Sequence, residues 1–226
     1  MVKMFSVFVV VGLLCLPCSG QTGISVGDAF DGTVYIVSGR TSCTGFVVAR
    51  EGDRAEVWTT QHGIGKNGSV ASVTFSRGTE REFVANAIVH SQGNGGDSDW
   101  AKLVVMVGKH PVKVLEVGSD SDMGGDCFTV GYPQGTRLVA SRIRIGSECA
   151  FGFGYRFKPS PVNGQSGSPI LKDNKVVAFI MGWRQDDRTG ERWGICLPIS
   201  TLKNDYRGSV EKPFQRRPIR RIWNAG

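Results

Sequence analysis

One local pattern repeats through most of the chain. A short run rich in β-branched and aromatic residues is followed by a turn built from Gly, Asp, Asn, Ser or Arg. Residues 33–37, 45–49, 55–60 and 71–75 are such runs, and the texture resumes at 127–130, 138–140, 175–180 and 192–196. Alternating short runs of this composition predict strands, and helical periodicity is confined to a brief stretch near residues 200–204. Strands at this spacing imply an all-β sandwich or barrel. The 226 residues suffice for one two-layered domain or two small ones. Val107-Gly108-Lys109-His110-Pro111-Val112 reads as a linker, placing an N-terminal unit at 21–112 and a C-terminal unit at 113–205.

The two ends differ from this body. Lys3 precedes a nearly unbroken apolar run over 4–16, and Cys18-Ser19-Gly20 offers the small residues a signal peptidase reads, with Gln21 as the mature start. The run is short of the ~20 apolar residues a spanning helix needs. Secretion or periplasmic export is therefore expected, with a membrane anchor through residues 4–18 as the alternative. The net charge of +7 is unevenly placed: residues 207–226 hold net +5, so the body is nearly neutral and the overall pI says little about partners. The basic tail, 206–226, has aromatics interspersed over 207–223, a composition suited to nucleic acid or an anionic membrane. A solvated, flexible extension, or the start of a region trimmed from a precursor, is the preferred reading.

Without the leader four cysteines remain, Cys43, Cys127, Cys149 and Cys196, and three pairings are open. None has the close spacing of a zinc site, and nothing in the sequence asks for a metal or cofactor.

The chemistry centres on Gly164-Gln165-Ser166-Gly167-Ser168-Pro169. Glycines on both sides of Ser166 permit a tight turn in which backbone N–H groups converge beside an unobstructed hydroxyl. Such a hydroxyl needs a base, and the chain has three histidines. His62 closes a β-type run just before a Gly-rich loop, where a site can be built. His90 reads as an edge-strand or core residue and His110 as a solvated linker residue. Asp99 opens the apolar run 99–105 and is placed to orient an imidazole, with Asp97, two residues earlier, as its competitor.

Six stretches in order then carry a resemblance. They are Thr44-Gly45-Phe46-Val47-Val48, Thr59-Thr60-Gln61-His62, Asp99-Trp100-Ala101-Lys102-Leu103, the stretch 125–135, Asn163-Gly164-Gln165-Ser166-Gly167-Ser168-Pro169, and Gly194-Ile195-Cys196-Leu197-Pro198-Ile199. Together they resemble trypsin/chymotrypsin-type serine proteases, closer to HtrA/Deg-like and viral members than to digestive trypsins, over residues 41–200. The resemblance favours Asp99 over Asp97. It implies two six-stranded antiparallel β-barrels with the site in the cleft between them. His62, Asp99 and Ser166 would be catalytic, and the N–H groups of Gly164 and Ser166 would form the oxyanion hole. Ser160, Met181, Gly182, Trp183 and Gly194 would line the pocket, with Met181 and Trp183 equally readable as ordinary strand residues packed in the core. The lack of charge suggests a small or medium apolar residue before the cleaved bond of a peptide or protein substrate.

The departures also speak. Ser168 stands where the family has a second Gly. Gln165 stands where trypsins have an Asp that pairs with a freed amino terminus, and no Ile-Val-Gly-Gly occurs near residue 21, so trypsin-type activation is not expected. Cys43 and Cys127 match positions that are disulfide-bonded in digestive members, but Gly63 and Lys172 stand where their partner cysteines would be. Those two bridges cannot form in the usual way, while Cys149 and Cys196 are free to find each other. No PDZ-type domain is expected. The expected activity is serine endopeptidase; the alternatives are a non-catalytic relative that binds through its cleft or tail, and a membrane-tethered viral polyprotein protease.

Overall fold

In the computed structural model, residues 26–96, 98–150 and 154–203 are described; the leader, Asp97 and the basic tail lie outside them. Strands β1 (Thr33–Ser38), β2 (Thr41–Glu51), β3 (Arg54–Thr59), β4 (Val70–Phe75), β5 (Phe83–Gln92) and β6 (Ala101–Met106) close one antiparallel barrel in the order β1-β2-β3-β6-β5-β4. Strands β7 (Gly125–Gly131), β8 (Val139–Ala150), β9 (Gly154–Lys158), β10 (Pro169–Lys172), β11 (Lys175–Gln185) and β12 (Arg192–Pro198) close the second, in the order β10-β11-β12-β9-β8-β7. Closure pairs every strand on both sides, so neither sheet is left with an open edge. Helices α1 (Val26–Gly32) and α2 (Ser200–Lys203) flank the barrels. Among the described residues no helix is long and apolar enough to cross a membrane.

Period-two alternation decides which residues fill each barrel. On β5, Ala85, Ala87 and Val89 face inward while Val84, Asn86 and Ile88 face out, and on β6 Ala101, Leu103 and Val105 are buried. The second barrel is filled by Ile143, Ile145, Phe157, Ile170, Val177 and Ile180. A third cluster takes residues from both barrels, with Phe46, Trp58 and Trp100 from the first packed with Phe179, Met181 and Ile195 from the second. At about 1.5–3 kcal/mol per fully buried large side chain, this cluster holds the barrels against each other and so holds the cleft.

Strand β8 extends well past the apolar run at 138–140, because Arg142 and Arg144 sit on its exposed face between buried Ile143 and Ile145. The alternation Arg142-Ile143-Arg144-Ile145 is its signal. Helix α1 was not expected. It buries Ala29, receives the Thr33 hydroxyl on the Ala29 carbonyl at 2.7 Å, and ends at Gly32, where a Cβ would meet the Leu115 side chain at 2.4 Å. The brief helix expected near 200–204 is α2.

The cysteine pairing needs correction. Cys43, Cys127 and Cys196 are free and buried. Cys149 on β8 and Cys196 on β12 each pair with Tyr155 on β9, from opposite sides. They therefore stand two strands apart, about 9–10 Å, beyond the ~4.4–6.8 Å between α-carbons that a disulfide spans.

Two histidines also differ from expectation. His90 points outward from β5, which is paired on both sides and is no edge. His110 is half-buried, with its ring stacked on Phe83 at 4.4 Å and 17°. Burial, then the nearby charges of Arg50 and Arg81, lower its pKa from the ordinary histidine value. The unfolded chain thus binds the proton more readily, and the stability gained is present above about pH 6.5 and lost as pH falls below it. Melting temperatures at about pH 7.5 and pH 5 should therefore fall further for the native protein than for His110→Phe, which keeps a ring on Phe83 but does not titrate. Equal falls would contradict this.

Candidate active site

Three elements bring three side chains to one point. Strand β3 stops at Thr59, extended Thr60 turns the chain, and a single 3-10 turn, Gln61–Gly63, projects the His62 ring. Asp99 stands just before β6, 5% exposed. Ser166 lies on the loop ahead of β10 and is fully buried. His62 Nδ1 is 2.6 Å from Asp99 Oδ2, and His62 Nε2 is 3.0 Å from Ser166 Oγ. The second oxygen, Asp99 Oδ1, accepts the His62 backbone N–H at 2.9 Å. An ionised carboxylate only accepts, so Nδ1 is the protonated nitrogen and Nε2 presents its lone pair to the Ser166 hydroxyl. The competitor Asp97 lies outside the described residues.

The loop around Ser166 is tied to the first barrel mainly through Thr44 on β2. The Thr44 N–H donates to Ser166 O at 2.8 Å and its hydroxyl to Gly164 O at 2.8 Å. That hydroxyl also accepts the Tyr132 N–H at 3.0 Å, and the Thr59 hydroxyl donates to Thr44 O at 2.6 Å. On the other side Gly167 N–H donates to Ile180 O at 2.7 Å, and Ile180 N–H to Ser168 O at 2.9 Å. Sequence reading missed the role of Thr44; its only signal was a small hydroxyl residue opening a β-type run.

Gln165, 7% exposed, turns its side chain back into its own loop, where Oε1 accepts the Val162 N–H at 2.9 Å. A neutral amide satisfied locally needs no buried cation opposite it. Ser168 is fully buried and fits because Gly131 faces it: a Cβ at 131 would lie 2.0 Å from Ser168 Oγ. Behind the site Cys43 is fully buried, its Sγ 3.4 Å from Thr59 Oγ1, and burial pushes its thiol up to about 12. It stays protonated and is no competing nucleophile. Among the described residues no group of His, Cys, Asp or Glu is arranged to hold a metal.

The expected pocket residues divide. Met181 packs its side chain in the cluster between the barrels, the core alternative for this residue, and its carbonyl lies 3.4 Å from Ser166 Oγ. Gly182 sits at a register shift in β11, and a Cβ there would meet nothing within 4 Å, so its α-carbon borders open space. Trp183 is half-buried beneath the Arg192 guanidinium, 3.7 Å from its ring centroid. Gly194 is covered by the Phe157 ring, whose nearest atom lies 2.2 Å from where a Cβ would be. Phe157, a core residue three positions before Ser160, is a neighbour that sequence reading did not anticipate. Ser160 is half-buried, with its hydroxyl 3.4 Å from Pro161 O.

A family model described as a trypsin-like peptidase domain matches residues 43–178, a span that includes His62, Asp99 and Ser166. The chain belongs to the trypsin-like peptidase family. Solved structures similar in fold to this peptidase include the active form of the Rv3671c protease from M. tuberculosis, at 22% identity over 79% of this chain and 81% of that one, TM-score 0.60. The serine endoprotease from Yersinia pestis is 16% identical over 81% of this chain and 66% of its own, and Deg5 is 19% identical over 79% and 88%, both with TM-score 0.60. Identities this low speak for the fold alone. No curated protein matches the peptidase in sequence.

Proposed function

We propose that the peptidase hydrolyses peptide bonds with Ser166 as nucleophile, His62 as general base and acid, and Asp99 as the group that orients His62. The observation that carries this reading is the single imidazole bridging Asp99 at 2.6 Å and Ser166 at 3.0 Å. Ser166 Oγ attacks the scissile carbonyl carbon while its proton passes to His62 Nε2. The negative oxygen that forms is met by the N–H groups of Gly164 and Ser166; losing one such donor costs about 3–4 kcal/mol in comparable enzymes. Collapse breaks the C–N bond, His62 returns its proton to the leaving amine, and water repeats the sequence on the acyl-enzyme.

The local satisfaction of Gln165 supports an enzyme that assembles this loop without an amino-terminal cut. Lys3, the apolar run over 4–16 and the small residues Cys18-Ser19-Gly20 support export, which amino-terminal sequencing of the natural product tests: a mature chain that keeps residues 1–20 would favour the anchor. The open space at Gly182 and the absence of charge on Ser160, Gly182, Trp183 and Gly194 themselves support cleavage after small or medium apolar residues, and a peptide-library profile dominated by Lys, Arg or Glu there would overturn that part.

The test of the whole is labelling of residues 21–226 by a fluorophosphonate probe, with Ser166→Ala alongside. Ser166-dependent labelling is expected. Its absence in well-folded protein would leave the non-catalytic binder as the better reading.

A further inference from the structure

We propose that Arg77, on the β4–β5 hairpin of the first barrel, is a positioning residue that sets the direction of the Gly164 N–H by clamping the turn Pro133–Gly135 of the second barrel. The inference rests on the functional reading above, in which that N–H receives the developing oxyanion.

The linkage is short and continuous. The Arg77 guanidinium donates to Gly135 O and lies over the Tyr35 ring, 3.8 Å from its centroid. Tyr35 in turn meets fully buried Tyr132 edge-on at 5.4 Å. Gly135 has φ +64, and a Cβ there would meet the Tyr35 hydroxyl at 2.8 Å, so Tyr35 and Arg77 together grip this residue. Within the gripped turn Gln134 holds φ 52, a conformation uncommon for a residue with a side chain. That conformation aims its N–H at Asn163 O, 2.5 Å away. The Asn163–Gly164 peptide is trans, since the one cis peptide among the described residues joins Lys158 and Pro159. In a trans peptide the C=O and the following N–H point in opposite directions. Holding Asn163 O toward the turn therefore holds the Gly164 N–H away from it.

Two further contacts leave little room for the peptide to rotate. Gly164 O is held by the Thr44 hydroxyl at 2.8 Å, and the α-carbon of Gly164, at φ +85, packs so closely on the turn that a Cβ would lie 2.4 Å from Tyr132 O. Without Arg77, Gly135 O loses its donor and Tyr35 its cation. Gln134 is then free to leave its unfavourable backbone region, and Asn163 O loses its partner. The first barrel would thus influence the reaction from a hairpin that contributes neither nucleophile nor base.

The test measures the rate of fluorophosphonate labelling, a reaction in which the Ser166 Oγ–P bond forms, the P–F bond breaks and fluoride leaves. The phosphoryl oxygen develops charge where the oxyanion would. Losing an oxyanion donor outright costs about 10²–10³-fold, so Arg77→Ala, acting at one remove, is expected to label at least about 10-fold more slowly per folded molecule. Arg77→Lys, which keeps a cation over Tyr35 and one donor, should recover part of that rate. The pH midpoint of labelling, which reports the base, should not move in either variant. A rate for Arg77→Ala within about twofold of the native protein, once corrected for folded fraction, would overturn the proposal. Should Arg77→Ala not fold, Arg77→Lys decides: a several-fold slower rate supports the clamp, and an unchanged one overturns it. If the native protein itself shows no Ser166-dependent labelling, the functional reading falls and this inference with it. If it labels and both variants label equally fast, only this inference falls.

Discussion

Asp99→Asn is expected to lower kcat by about four orders of magnitude while leaving the fold in place. The exchange preserves shape, so the cost is one of proton placement. Asp99 now accepts twice from His62, from the backbone N–H at 2.9 Å and from Nδ1 at 2.6 Å. An amide has one acceptor and one donor end. With its oxygen kept on the His62 backbone N–H, its NH₂ faces Nδ1 and makes that nitrogen an acceptor. The ring proton then moves to Nε2 and points at Ser166 Oγ, 3.0 Å away, where a lone pair is needed. Turnover of a fluorogenic peptide pool, read beside the melting temperature, checks this. A loss below about tenfold in a protein of native stability would mean that Asp99 does not set the tautomer.

The second large effect is structural. Gly167→Ala should destabilise the protein by roughly 2–5 kcal/mol, combining an overpacked core position with a left-handed backbone strained by a side chain. Gly167 has φ +80, and a Cβ there would fall 2.1 Å from Thr44 O and 2.3 Å from Thr59 Oγ1. Neither obstacle is a flexible chain end: Thr44 O is backbone in β2, and the Thr59 hydroxyl is already bonded to it at 2.6 Å. Relief requires the Ser166 loop and the first barrel to move apart, so labelling should fall with stability. Denaturant unfolding of Gly167→Ala against Gly182→Ala is the matched comparison, because at Gly182 a Cβ meets nothing within 4 Å. Similar midpoints for the two variants would contradict the packing argument.

How much of this was legible beforehand follows from the range of the interactions. Strands such as β3 and β6 announce themselves because alternation is a property of neighbours in sequence. Strand β8 was underestimated where charged residues occupy its outer face, and α1 went unseen because seven residues barely support helical periodicity. The buried position of Met181 was undecidable, since an apolar residue on a strand fits a pocket wall and a core equally well. His110 was misread as solvated because its partner Phe83 lies on a strand remote in sequence.

The order of the His, Asp and Ser motifs, the glycines flanking Ser166, the uncharged pocket candidates and the Gln at 165 are properties of the chain itself. Through the family resemblance they carry, they sufficed to expect a two-barrel architecture and to single out the Ser166 loop as the candidate nucleophile loop. Tertiary structure alone decided that Thr44 ties that loop to the other barrel, that Cys149 and Cys196 stand too far apart to bridge, that Phe157 covers Gly194, and that Arg77 reaches the turn beside Gly164. The physical reason is common to all four. Each depends on a contact between strands or loops whose separation in sequence carries no periodic signal, so only closure of the barrels and burial of the cluster between them brings the partners within bonding distance.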